Sequence, residues 1–226
     1  MEEKTEILDH EGDAYFERNF ENKIKMGNAS FGMQLFDEFL CNNPKFTKNF
    51  TKVLEIGCSY GFNLDYLKTK HENVECYGVE PSTKAVECGK KLFDNKLHLE
   101  KGTADVLNYS DAFFDVVMMG FCLYWTDRKY FMKILSESDR VLKTGGLFVI
   151  WDFDVTIPCR RQNKHNANTP TFKINQTNLF SNNPEYFLVE KRAFSDSGRN
   201  DFDVDPQNRC SLSIFYKDSK NAFVNI

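Results

Sequence analysis

No stretch of the 226-residue chain stays apolar long enough to cross a bilayer. The most apolar run, Val116 to Trp125, is far shorter than the ~20 residues a membrane helix needs, so no membrane span is expected. The chain opens on Glu2, Glu3 and Lys4 with no apolar stretch behind them, which leaves no signal peptide to read. Basic residues are not in excess. Lys and Arg number 29 against 33 Asp and Glu, a net charge of −4. A general nucleic-acid binder normally shows a basic domain, so nucleic acid is not an expected partner. The seven cysteines (Cys41, Cys58, Cys76, Cys88, Cys122, Cys159 and Cys210) are scattered, odd in number and never spaced C-x-x-C. That removes a zinc ribbon and a thioredoxin motif, and it fits a reduced, cytoplasmic protein. With four histidines and no H-E-x-x-H, no metal site is expected.

What is present is ordinary globular material, 41 % hydrophobic and 27 % charged, so wholesale disorder is excluded. Apolar spacing predicts helical structure from Glu6 to Asn43, broken at Gly27-Asn28 and at Gly32. From Thr51 onward short apolar runs alternate with helical patterns. Strands are expected at Thr51–Ile56, Val74–Val79, Lys96–Lys101, Phe114–Met119 and Leu147–Trp151. Helices are expected at Asn63–Lys70, from Ser82 as N-cap to Leu92, and at Lys129–Leu142, the last stopped by Lys143-Thr144-Gly145-Gly146. Pro158 to Pro184 reads as an irregular excursion. Tyr186–Phe194 and Cys210–Tyr216 read as an antiparallel hairpin.

Five alternations plus a hairpin imply an α/β fold. The expected architecture is a doubly wound, Rossmann-like, mostly parallel seven-stranded sheet with helices on both faces and a C-terminal antiparallel hairpin. Residues 1–50 form a helical cap in this reading, 51–155 the cofactor-binding core, and 156–226 the substrate-side loop and hairpin of the same domain. The ligand belongs beyond the carboxyl ends of the parallel strands.

The first strand ends in Glu55-Ile56-Gly57-Cys58-Ser59-Tyr60-Gly61. A dinucleotide fingerprint, G-x-G-x-x-G, would need glycine where Ser59 and Phe62 stand, so a nucleoside without a pyrophosphate fits better than NAD. Glu80, at the end of the second strand, can accept from both hydroxyls of an unphosphorylated ribose. Ala104, Asp105 and Val106 follow the third strand and are placed near a purine.

At this point a family resemblance appears. Val53-Leu54-Glu55-Ile56-Gly57-Cys58-Ser59-Tyr60-Gly61 resembles the first motif of class I S-adenosylmethionine-dependent methyltransferases. Val79-Glu80-Pro81-Ser82 is similar to their second. Gly102-Thr103-Ala104-Asp105-Val106-Leu107 and Phe114-Asp115-Val116-Val117 resemble the third and fourth, and Arg140-Val141-Leu142-Lys143-Thr144-Gly145-Gly146 the turn before their fifth strand. The resemblance covers roughly residues 50–155. It implies methyl transfer with S-adenosyl-L-methionine as cofactor. Glu55, Gly57, Cys58, Ser59 and Gly61 would surround its methionine part, with Asn63 and Leu64 at the start of the next helix. Glu80, Pro81 and Ser82 would meet the ribose; Ala104, Asp105 or Val106 the adenine; Gly120 and Phe121 the far wall. Thr103 stands where many relatives carry an acid, which leaves open whether Thr103 or Asp105 meets the adenine.

Gly12-Asp13-Ala14-Tyr15-Phe16-Glu17-Arg18-Asn19 also looks like the N-terminal motif of methyltransferases of bacterial surface-glycan biosynthesis, the pseudaminic acid type included. That likeness implies a sugar or nucleotide-sugar acceptor. It places Tyr15 at the cofactor and pairs Arg18 with the cofactor carboxylate. The same Arg18 on a solvated helix face is the competing reading. Tyr124 and His165 are the candidate catalytic side chains, with His10 an equal alternative as base. Phe121, Tyr124, Trp125 and Phe153 are the candidate wall of the reaction centre. The basic stretch Arg160-Arg161-Gln162-Asn163-Lys164-His165 either attracts an acidic group on a small-molecule acceptor or is a solvated loop. Methyl transfer to another metabolite or a protein, or a non-catalytic cofactor-binding module, stands as the alternative. The expected state is a monomer or homodimer.

Overall fold

The structure, a computed structural model, describes residues 11–21, 29–48, 50–163, 169–197 and 202–223. Helix α1 covers residues 11–21. It is followed by α2 (Phe31–Asn42), a short α3 (Pro44–Thr47), β1 (Lys52–Ile56), α4 (Phe62–Lys70), β2 (Glu75–Glu80), α5 (Thr83–Leu92) and β3 (His98–Lys101). Then come β4 (Phe114–Gly120), a 3₁₀ turn (Leu123–Trp125), α6 (Arg128–Val141), β5 (Leu142–Phe153), β6 (Cys159–Arg161), β7 (Thr171–Lys173), α7 (Asn178–Ser181), β8 (Tyr186–Ser195) and β9 (Arg209–Lys217).

Seven strands form one sheet in the order β3-β2-β1-β4-β5-β9-β8. The first five are parallel; β9 runs antiparallel to β5 and to β8. The strand order reverses between β1 and β4, which opens a crevice at their carboxyl ends. Both faces are covered. Val53, Val116, Met118 and Val149 meet α2, α4 and α5 through Met33, Phe36, Leu64, Leu67 and Val86. Leu54, Ile56, Val117, Met119, Phe148 and Ile150 meet α6 through Phe131, Ile134 and Leu135. The unbroken burial of residues 116–119 in β4 follows from being covered on both sides.

Three expectations are corrected. Gly32 does not break a helix but lies inside α2, buried, where a Cβ would sit 2.3 Å from Cγ of Trp151. Tight approach of the indole, not a turn, explains this glycine. Lys143-Thr144-Gly145-Gly146 lies within β5 rather than ahead of it. The register shifts between Phe114 and Val116, and Gly145 takes φ +89° to absorb the irregularity. Finally, Pro158–Pro184 is partly regular: β6 and β7 form a two-stranded antiparallel sheet, and α7 follows. The break expected at Gly27-Asn28 and the candidate base His10 lie outside the described residues.

The cavity at the carboxyl ends of β1, β2 and β4

A cavity of about 450 Å³ opens beside the β1/β4 switch, within the usual range of roughly 300–1,000 Å³ for small-molecule sites. Its floor is the turn after β1. Gly57 takes φ +75° and donates its N–H to Val79 O at 2.8 Å. A Cβ on Gly57 would lie 2.9 Å from Cys122 Sγ, so glycine serves both the left-handed conformation and the space. Ser59 also has a positive φ, 52°, and the turn closes with Gly61 N–H donating to Cys58 O at 2.9 Å.

Glu80 ties the floor to the neighbouring loop. Oε2 accepts from Ser59 N–H at 2.8 Å and Oε1 from Ser82 N–H at 3.0 Å. The side chain lines the cavity although the residue is only 8 % exposed. A carboxylate has about four acceptor sites, enough to serve both N–H groups and hydroxyls arriving from the cavity. Glu55, at the end of β1, accepts from Asn63 Nδ2 at 2.7 Å, and Asn63 Oδ1 accepts from Ser30 N–H at 2.9 Å. This chain fixes the start of α4 against the lead-in to α2.

Helix α1 crosses the mouth. Asp13 Oδ1 accepts from Ser82 Oγ–H at 2.5 Å and from Lys84 N–H at 3.1 Å, so α1 supplies an acceptor to the N-terminus of α5. Glu17 pairs with Lys84 nearby. At its other side Tyr15 meets Trp125 edge to face, ring centroids 6.0 Å apart. Glu11, Gly12, Tyr15 and Arg18 thereby face the cavity.

The opposite wall is the segment after β4. Phe121 sits at φ 48°, a conformation bulky residues rarely adopt, with its N–H donating to Trp151 O at 2.8 Å. The 3₁₀ turn that follows is held from two sides. Asp152 accepts from Tyr124 N–H at 3.2 Å and from Phe153 N–H at 2.7 Å. Arg128 donates to Leu123 O at 2.6 Å and to Thr126 O at 2.9 Å. Burial pushes the Asp152 carboxyl up to about 7 against these N–H donors and Arg128. Burial also raises the Tyr124 phenol, so the side chain presents a neutral O–H at neutral pH. Cys58 and Cys122 are pushed up as well, by burial first and then by Glu80. Both stay thiols, not nucleophilic thiolates.

Of the residues expected at the site, Tyr15, Arg18, Glu55, Gly57, Cys58, Ser59, Asn63, Glu80, Pro81, Gly120, Phe121 and Tyr124 line this one cavity, as do Trp125 and Phe153. Six others are not among its lining. Leu64 is sealed in the core beside Gly78, and Gly61 faces Leu97 and Leu99. Ser82 turns its hydroxyl to Ala85 N–H and Asp13. Ala104, Asp105 and Val106 form a tight turn after β3, closed by Val106 N–H to Thr103 O at 3.2 Å. His165 lies outside the described residues. Sequence reasoning did not find Glu11, Gly12, Ser30, Cys122, Trp151, Thr169 and Asp196, which also line the cavity. Ser30 carried a readable signal, as an N-cap ahead of an apolar helix; Asp196, just past an antiparallel strand, carried none.

A second hollow, of about 610 Å³, lies at the other end of the sheet among Lys45, Phe46, Asp115, Lys143 and Tyr216. Its polar centre is a Lys143–Asp115 ion pair at 2.6 Å, whose carboxylate also accepts from Thr51 and Lys52 N–H. Those contacts brace the amino ends of the strands, not the end where ligands bind in such sheets.

Residues 54–150 match the family described as Methyltransferase domain. A sarcosine/dimethylglycine N-methyltransferase of Aphanothece halophytica is 27 % identical over 122 residues, covering 50 % of this chain and 42 % of the relative. An ajmaline N-methyltransferase of Rauvolfia serpentina is 25 % identical over 134 residues, covering 55 % and 44 %. The chain thus spans less than half the length of these curated relatives. Among solved structures, a 1,6-didemethyltoxoflavin-N1-methyltransferase of Burkholderia thailandensis, with bound 1,6-didemethyltoxoflavin and S-adenosylhomocysteine, superposes with a TM-score of 0.65. It is 12 % identical, with 92 % of this chain and 87 % of that chain covered. The match to the methyltransferase domain covers residues 54–150, and the solved methyltransferase shares the fold of this chain.

Proposed function

We propose that this protein transfers a methyl group from S-adenosylmethionine to a nitrogen of a small-molecule acceptor. The observation that carries the reading is the Glu80-tied, left-handed turn Gly57–Ser59, which opens the cavity floor to close backbone approach. Bound there, S-adenosylmethionine would supply an electrophilic methyl that an acceptor lone pair takes by direct displacement. Glu80 would hold the ribose hydroxyls, and Glu55 and Arg18 the two charged ends of the methionine part. Ala104, Asp105 and Val106, beyond the cavity edge, would meet the adenine. Tyr124, Trp125 and Phe153 would exclude water and orient the acceptor, the main service such a reaction needs. The nitrogen acceptor draws on the relatives, both N-methyltransferases by name. A surface-glycan sugar with an acidic group draws no such support, because Arg160 and Arg161 are exposed on β6 and do not line the cavity.

S-adenosylhomocysteine tests this directly. At 100 times its dissociation constant, a ligand of the native state adds about 2.7 kcal/mol. For a chain of this size that raises the melting temperature by roughly 5–10 °C. No shift at millimolar ligand would contradict the reading.

A further inference from the structure

Charge is unevenly placed around the cavity. The charged residues of its lining, among those described, are Glu11, Arg18, Glu55, Glu80 and Asp196, four carboxylates and one guanidinium. Glu55 and Glu80, near the carboxyl ends of β1 and β2, belong to the floor, and Glu11 and Arg18 to the helix across the mouth. Of the described charged residues, Asp196 stands on the far side. It follows β8, its N–H donates to Asn208 O at 2.9 Å, and it is exposed at the rim. Between it and the floor stand Tyr124, Trp125 and Phe153, packed on one another with centroids 5.1 and 5.2 Å apart. No Lys, Arg or His of the described residues lines that side. Among the described residues Lys173 lies behind it, buried, donating to Gln207 O at 2.7 Å and resting 3.6 Å from the Phe153 ring centroid, with Arg161 donating to Gln207 Oε1 at 3.3 Å on the outer side. Phe153 is therefore already engaged by a cation, and Tyr124 and Trp125 are the rings left to face a ligand.

Resting on the reading above, we infer that the far half of the cavity takes a cationic ligand, either the quaternary ammonium product or an acceptor amine that arrives as its ammonium ion and gives up that proton to solvent before its lone pair takes the methyl, and that Asp196 selects for that charge. Aromatic faces attract ammonium groups through the ring quadrupole, most strongly when desolvated. A carboxylate at the rim adds long-range attraction and fixes the direction of approach. The same arrangement repels an acidic acceptor. Asp196, which also favours the charged form of Lys173 behind the wall, is the carboxylate that the described lining places on the acceptor side.

The test uses the full chain saturated with S-adenosylhomocysteine and two probes of the same shape: choline and its neutral carbon isostere, 3,3-dimethyl-1-butanol. Calorimetric titration is expected to show choline binding at least about 10-fold tighter. Asp196→Asn should bring the two probes within about 3-fold of each other by weakening choline alone. Its affinity for S-adenosylhomocysteine should stay at the wild-type value. Equal binding of the pair, no choline binding, or an Asp196→Asn variant with full preference for choline would each overturn the inference. If S-adenosylhomocysteine itself fails to bind, the cofactor reading falls and this inference with it. If it binds and the probes are not distinguished, only the charge assignment falls.

Discussion

Glu80→Ala is expected to weaken S-adenosylhomocysteine binding about 100-fold while the protein stays folded, because two hydrogen bonds to a charged acceptor are worth roughly 3 kcal/mol together. The carboxylate has two tasks. It is positioned to take the ribose hydroxyls, and its oxygens receive Ser59 and Ser82 N–H at 2.8 and 3.0 Å. Truncation removes the ligand contact and also frees the turn that forms the floor. The global fold should survive, since Glu80 is at a strand end and the β1–β2 ladder is complete without its side chain. Glu80→Gln separates the two tasks. Its amide keeps one acceptor oxygen but turns an NH₂ toward a backbone N–H, so an intermediate loss of about 10-fold is expected. Isothermal titration measures both. An alanine variant within threefold of wild type would remove Glu80 from the binding site.

Gly120→Val should have the largest effect on stability. The Trp151 indole, 1 % exposed, lies in a slot between two glycines on different elements. A Cβ on Gly32 of α2 would come 2.3 Å from Trp151 Cγ, and one on Gly120 of β4 would come 2.1 Å from Trp151 Cε2. Neither neighbour is a flexible chain end that could swing away. Trp151 is fixed by its strand pairing to Gly120 and Leu212. Overpacking of this kind costs typically 1–3 kcal/mol, and a branched side chain belongs at or above the top of that range. The melting temperature should fall by roughly 6–12 °C. Because Trp151, Gly120 and Phe121 all line the cavity, ligand affinity should fall as well. Thermal unfolding with and without S-adenosylhomocysteine reads both. A variant as stable as wild type would mean that the slot closes differently.

The parallel half of the fold was legible because β1, β2 and β4 are short apolar runs bounded by Gly57, Glu80-Pro81 and Gly120. Strand-end logic then points to the cavity floor without coordinates. The same logic failed at Gly32 and Lys143–Gly146, where glycine marks a close approach or a strand irregularity rather than a stop. Local sequence does not distinguish these uses: the ring that requires Gly32, in Trp151, is over a hundred positions away, and the backbone that crowds Gly146 includes Asp115 O of the neighbouring strand. The acceptor side was least legible. Thr169 and Asp196 reach the cavity through a small two-stranded sheet and an antiparallel edge pair, whose register depends on β5 and β9. Asn, Thr and Pro in that segment read as irregular chain, although β6 and β7 pair there.

A crystal structure of the protein soaked with S-adenosylhomocysteine tests the central claim most directly. The ligand is expected in the 450 Å³ cavity, its ribose hydroxyls on the Glu80 carboxylate and its sulfur facing Tyr124 and Trp125. Ligand density in the hollow beside Lys45 and Lys143 instead, or a ribose turned away from Glu80, would contradict it.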